Sequence, residues 1–383
     1  MPPTGLLAFY ISAAFWNVCM GMVQVLLPLY AFSLGFSVLK ISSIISLAVL
    51  AEFLIRFLGS ALSDRFGERR TLQGCYFLLF MAALVLLSAG SYIQLLLAQA
   101  IANFSRSNFW ISVQSLASQL PGLSIGKRLG RLSACNNCGN LIGLSLGGIL
   151  AALLGYHRAF LLLAVTALVC ILFGLMLPNV DPKPAGRTIW EITRGIGRFL
   201  GYRRTWLAIS VSYAAALPAA LAQSIYPIYF STLEYGEQWI GVTISVRSLT
   251  PVLIGLMFGA LITTSIQKRI FALGMAGLGF SLMVSGLTEK IFLNALGIAV
   301  LGAAGAVLDL LYQVQASEWS ASGDRSAAMA STGLGWLICP FSAPIIVGWL
   351  VEGQGFRFAF LVAGVFFLLV AAGTRLWHRL VAP

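Results

Sequence analysis

Apolar stretches about as long as a bilayer is thick recur from Leu6 nearly to Leu376, broken only by short polar segments. Such a chain has few folding options, because in hydrocarbon every backbone N–H and C=O must be satisfied within the structure, and α-helices do this segment by segment. Hydrophobic residues fill 59% of the 383 positions and charged residues 9%, whereas a water-soluble domain needs roughly 25% charged residues to wet its surface. The reading is an all-α membrane protein. Twelve transmembrane helices fit, near Leu6–Leu34, Ile41–Ser63, Leu72–Gly90, Tyr92–Leu116, Leu132–Leu154 and Arg158–Leu177, then Trp206–Phe230, Ile240–Thr263, Ile270–Leu287, Ile291–Trp319, Ala327–Leu350 and Phe356–Trp377.

The net charge of +12 would suggest a polyanionic partner in a soluble protein, but its distribution points elsewhere. With the amino terminus inside, seventeen of the 24 Lys and Arg fall in cytoplasmic segments and four in external loops, as the positive-inside rule requires. Arg56, Arg106 and Arg247 lie within expected helices. The chain is therefore expected in the inner (cytoplasmic) membrane with both termini cytoplasmic, in contact with the lipid bilayer and not with nucleic acid. The first apolar stretch is too long for a signal-peptide core and carries Asn17 and Gln24, so it reads as a retained helix. Cys135 and Cys138 form a Cys-x-x-Cys, but no second Cys or His pair completes a metal site; no metal and no cofactor are expected.

The chain repeats itself. Gly155-Tyr-His-Arg-Ala-Phe160-Leu161 reappears 200 positions on as Gly355-Phe-Arg-Phe-Ala-Phe360-Leu361, and Gly148 and Leu150 match Gly348 and Leu350. An offset of 199 aligns Leu62, Arg69 and Arg70 with Leu261, Lys268 and Arg269. Two pseudo-symmetric six-helix bundles follow, residues 1–177 and 206–383, joined by a cytoplasmic linker over 178–205. Proteins built from such repeats place their site between them and alternate access by rocking one half against the other.

After the second span stands Ser60-Ala-Leu62-Ser-Asp64-Arg65-Phe-Gly67-Glu68-Arg69-Arg70-Thr-Leu72. Gly67 permits a sharp turn at positive φ, and Asp64 can pair with a helix terminus where partial positive charge gathers. This resembles the loop signature of the major facilitator superfamily, with Ser60 in place of its usual Gly and Glu68 in place of a common basic residue. The resemblance implies that Asp64, Arg65, Gly67, Arg69 and Arg70 gate the cytoplasmic side. In the fifth span, Gly139-Asn-Leu-Ile-Gly143-Leu144-Ser-Leu-Gly147-Gly148 puts glycines where another backbone can approach closely. It is similar to the antiporter motif of drug-exporting members, with Leu144 at the position of Pro. Gln99 stands where such exporters commonly carry an Arg.

Ionisable groups at mid-helix cost roughly 2.5–3.5 kcal/mol on insertion scales, so they are functional candidates with a partner to be named. Glu52 and Arg56 are spaced i, i+4 and read as a local ion pair or, with Glu52 alone, as a proton carrier. Asp309 has no base one turn away and must be neutral, reach another helix or face water. Arg106 shares a helical face with Gln99 and Asn103. Asp309 and Arg106 are expected to border a central cavity, and Glu52, Arg56, Arg106 and Asp309 are the candidates for coupling. The long stem of Arg247 is expected to run out to the headgroups. The resemblance implies a cavity lined by the first, fourth, seventh and tenth helices. Its polar and aromatic candidates are Asn17, Gln24, Gln99, Asn103, Arg106, Tyr213, Gln223, Asp309 and Tyr312.

These readings imply a secondary transporter, working as a monomer and coupled to protons, that exports small amphipathic compounds. Uptake or exchange of a small organic anion held by Arg106 is one alternative, and a non-transporting membrane sensor or scaffold is another. The two His, His157 and His378, fall at opposite faces, which disfavours an enzyme. No phosphate-binding Gly-x-x-x-x-Gly-Lys-Ser/Thr loop marks an ATP-driven pump.

Overall fold

The computed structural model describes residues 3–120, 125–178, 197–251, 253–254, 266–318 and 331–373, and among them no strand occurs. The helices are α1 (Pro3–Ser33), α2 (Val38–Phe66), α3 (Glu68–Ser88), α4 (Tyr92–Gln119), α5 (Ile125–Leu154) and α6 (Tyr156–Leu175). They are followed by α7 (Arg203–Ala222), α8 (Ile225–Thr232), α9 (Glu237–Ser245), α10 (Gln267–Leu287), α11 (Ile291–Glu318) and α12 (Gly335–Ala372). A single 3-10 turn, Val246–Ser248, follows α9. Eight described helices are long and apolar enough to cross a membrane.

Two expected spans differ in detail. The seventh, read as one helix, divides into α7 and α8 at Gln223 and Ser224. Pro227 has no N–H for the carbonyl of Gln223, and the chain tightens there into a bond from Ser224 N to Leu221 O of 3.3 Å. The last two spans run together as α12, but they meet at Gly355, whose φ of 83° interrupts the helical geometry.

The repeat is visible in space. Gly155 and Gly355 turn the chain with φ of 78° and 83°, and the aromatic contacts around them correspond. Tyr30 meets the edge of Phe160 at 5.2 Å, and Tyr229 meets that of Phe360 at 4.9 Å. The Tyr30 hydroxyl donates to Ala89 O, and that of Tyr229 is shared between Ser285 O and Thr288 O. Each set ties the helix that carries the tyrosine to the end of another.

The helices gather into two compact units: Met1–Ile189 with Phe230–Ser245, and Trp190–Tyr229 with Val246–Pro383. In the first, α1 packs on α5 and α6, α2 on α4, and α3 on α4 and α6. Its core is knit by Trp16, which stacks on Phe109 at 3.7 Å and donates to Ser105 Oγ at 3.1 Å; Ser105 in turn donates to Cys75 O at 2.8 Å. In the second, α10 packs on α11 and α12, and α7 on both. Small residues let these helices close: the backbones of Gly279 and Gly364 face each other, and Ser212 donates to Thr332 O at 2.6 Å.

The glycines of α5 serve two neighbours at once. A Cβ on Gly139 or Gly143 would lie 2.3 Å from Ala14 O or 2.1 Å from Val18 O, so this row seats α1. Gly147 lies against Met22 of the same helix. Gly148 faces the other way, where a Cβ would meet Glu237 O at 2.2 Å, and Gly241 returns the contact on Leu144 O at 2.5 Å. Without a hydrophobic drive between helices in lipid, association depends on this close backbone approach.

Candidate functional site

In the first unit, the charged centre joins α2 and α4. Arg106 donates from Nη2 to Glu52 Oε2 at 2.5 Å, with side chains 18% and 12% exposed, the single ion pair among the described residues. Glu52 therefore finds its base on another helix; the side chain of Arg56 lies outside the described residues. One and two turns from Arg106, Asn103 and Gln99 are buried on the same face, with the amide of Gln99 donating to Asn103 Oδ1 at 3.4 Å. Asn103 Nδ2 is sealed without a partner. Asn17 is buried as well, and its amide donates to Asn136 Oδ1 on α5 and to Ala13 O, both at 2.9 Å. Those bonds make it part of the α1–α5 seam. Gln24, on the same helix, is half-buried.

The second unit is organised around Asp309 on α11. Trp336 Nε1 on α12 donates to Asp309 Oδ1 at 3.0 Å, and Gln313 Nε2, one turn on, donates to Oδ2 at 2.8 Å. Neither partner is charged. Of the three settings open to it, Asp309 takes one in which it reaches another helix, and among the described residues no base pairs with it. Tyr213 on α7 is bonded to Ser342 of α12 at 3.0 Å, Gln223 is buried, and Tyr312 is half-buried on α11. Trp336 and Gln313 were not among the candidates. Gln313 could have been found from its i, i+4 spacing to Asp309, and Trp336 from being an aromatic too deep in its span to anchor at an interface.

Arg247 departs from expectation. It sits in the 3-10 turn after α9, and its Nε is sealed from solvent without a hydrogen-bond partner. A side chain that reached the headgroups would leave that atom wet, so the arginine is held inside the protein.

At the turn between α2 and α3, Gly67 has the positive φ that its position in the motif implies, 81°. Arg69 donates to Leu175 O at 2.8 Å, satisfying a carbonyl at the end of α6, and Arg70 is exposed. The side chains of Asp64 and Arg65 lie outside the described residues. Glu68 is buried at the start of α3, where it accepts from Ser115 Oγ at 2.8 Å and Gln119 Nε2 at 2.7 Å on α4. An acid suits a helix N-terminus, and here it also fastens α3 to α4.

Comparison with known proteins supports this architecture. The model of the Major Facilitator Superfamily matches residues 6–246 and 213–383. A staphyloferrin B transporter of Staphylococcus aureus (strain NCTC 8325 / PS 47) is 28% identical over 183 residues, 45% of this chain; the match spans 43% of that relative's length, less than half. The crystal structure of the nucleoside transporter NupG superposes with a TM-score of 0.84 at 13% identity, over 98% of both chains. A POT family transporter in complex with 5-aminolevulinic acid superposes with a TM-score of 0.82 at 13% identity, over 100% of this chain and 97% of its own. At such identities the two structures speak to the fold alone. With its two glycine-turned repeats, its apolar spans and a family match along its length, the chain belongs to the Major Facilitator Superfamily and is a multi-pass membrane protein.

Proposed function

We propose that the protein is a secondary transporter that works by alternating access, exchanging protons for small amphipathic compounds that it exports, as a monomer in the cytoplasmic membrane with both termini inside. The observation that carries this is the setting of Asp309, half-buried at mid-helix between two neutral donors, Trp336 and Gln313. A carboxylate locked to an arginine resists protonation, because the neutral acid would abandon a buried cation. One held by an indole and an amide can take and lose a proton while its neighbours stay in place. Direction rests on the α5 glycine row, similar to that of exporting members. Asp64, Arg65, Gly67, Arg69 and Arg70 would gate the inner face, with Arg69 fastened to the end of α6.

Organic-anion transport through Arg106 has less support, since Glu52 already neutralises that guanidinium. The deciding experiment uses everted vesicles with an imposed pH gradient and a panel of amphipathic compounds, comparing wild type with Asp309→Asn. Dissipation by wild type and its loss in the variant is the expected result. A variant that is inserted and folded, yet dissipates the gradient as wild type does, would remove Asp309 from coupling.

A further inference from the structure

The second unit holds a cation that nothing in the coupling scheme uses. Arg247 lies ten residues into the span that opens at Glu237, about 15 Å along a helix axis, well within the apolar depth of a bilayer. Its Nε is sealed and unbonded, and its side chain has no ion pair or hydrogen bond among the described residues. The terminal nitrogens are not among the sealed atoms, and the residue as a whole is half-buried.

The backbone beneath this side chain is fixed. Gly302 of α11 lies against the turn so closely that a Cβ there would stand 2.6 Å from Arg247 O and 2.5 Å from Thr250 Oγ1. Thr250 Oγ1 also donates to Arg247 O at 3.1 Å. Asp309 follows Gly302 by seven residues on α11, nearly the same helical face and about 10 Å along the axis. An acid and a base thus sit against one helix without being paired to each other.

An uncompensated cation in a low-dielectric interior is expensive. Arginine presents a planar fork that matches a carboxylate with two parallel hydrogen bonds. We propose that Arg247 is a binding residue for an anionic group of the cargo, a carboxylate on a small amphipathic molecule, held on the Gly302 seat two turns from the proton-carrying Asp309. This rests on the reading of the protein as a transporter of small amphipathic compounds and narrows that class to organic acids and zwitterions.

The test is a binding measurement that uses no gradient and no flux, so it stands or falls apart from proton coupling. Purified protein in detergent is titrated with aryl and alkyl carboxylates, each matched with its uncharged amide, and thermal unfolding is recorded for wild type, Arg247→Gln and Arg247→Lys. Wild type should prefer carboxylates to their amides. Arg247→Gln should lose about thirtyfold or more in carboxylate affinity while amide binding is unchanged, and Arg247→Lys should keep part of it. Without ligand, Arg247→Gln should unfold at a higher temperature than wild type, because it removes an unpaired charge; a purely structural arginine would give the opposite sign. Equal affinity for acid and amide in wild type, or an undiminished carboxylate preference in Arg247→Gln, overturns the proposal.

Discussion

The second and fourth spans of the first half, and their repeats in the second half, handle buried charge in opposite ways. In the first unit Glu52 on α2 and Arg106 on α4 close on each other at 2.5 Å. In the second, the corresponding spans carry Arg247 and Asp309, which are not paired, the first without a partner among the described residues and the second served by neutral donors. A satisfied pair joins two helices and has little left to offer a ligand. Buried charges without a counter-charge weaken the fold and leave binding energy for whatever enters, as functional sites commonly do. On the two proposals above, the first unit is a frame and the second is the half that would meet cargo and protons.

The largest effect should come from breaking the pair in the frame. Glu52→Gln removes the carboxylate that faces the partly buried Arg106, a loss of about 3–5 kcal/mol, seen as a marked fall in the unfolding temperature of purified protein. Adding Arg106→Gln to the same chain should recover most of it. If Glu52→Gln alone costs no more than a surface substitution, the pair does not hold α2 to α4 and the contrast between the halves fails.

Next in size is the loss of a donor to Asp309. Trp336→Phe keeps the ring volume and removes the Nε1–H that reaches Oδ1 at 3.0 Å; a hydrogen bond to a charged group is worth about 1.5–3 kcal/mol. Gradient-driven flux should fall by roughly tenfold or more, with protein level and carboxylate binding retained. Flux equal to wild type would show that the indole serves packing alone.

A smaller change tests the glycine seats. Gly143→Ala places a methyl 2.1 Å from Val18 O, and Gly302→Ala one 2.6 Å from Arg247 O. Forcing a methyl into a closed seam costs about 1–3 kcal/mol, so both should lower stability. Only Gly302→Ala should also blunt the preference for carboxylates over amides, since it alone shifts the turn that carries Arg247. A loss of preference in both variants would mean that the whole fold relaxes, and not that one half is specialised.

Much of this architecture was legible from the residues. The spans follow from apolar length, the repeat from Gly155 and Gly355 with their matching flanks, and the α5 glycine row from its spacing; each depends on local pattern alone. Pairing was harder, because it depends on which helices become neighbours. Glu52 meets Arg106, 54 residues on, a contact that no local spacing shows. Asn17, a cavity candidate by its polarity, gives its amide to Asn136 in a helix seam. Arg247 looked long enough to reach the headgroups, and only its sealed, unbonded Nε shows that it is held inside. Polarity marks a residue as unusual in a membrane, whereas the neighbour decides whether it joins helices or meets a ligand.

The smallest effect probes the symmetry that frames the contrast. Tyr30 and Tyr229 stand at equivalent places, and each hydroxyl has one proton to give. Tyr30 gives it to Ala89 O at 2.7 Å, while Tyr229 shares it between Ser285 O at 2.5 Å and Thr288 O at 3.3 Å. The second acceptor adds little, because Thr288 O also receives Asn294 Nδ2 at 3.1 Å and stays satisfied when the tyrosine changes. Tyr30→Phe and Tyr229→Phe should each cost about 1 kcal/mol and agree within roughly 0.5 kcal/mol, the scatter of independent sites. Matched losses in the same detergent would show that the halves share one scaffold and diverge only at their buried charges. A much larger loss for Tyr229→Phe would place the divergence in the scaffold itself.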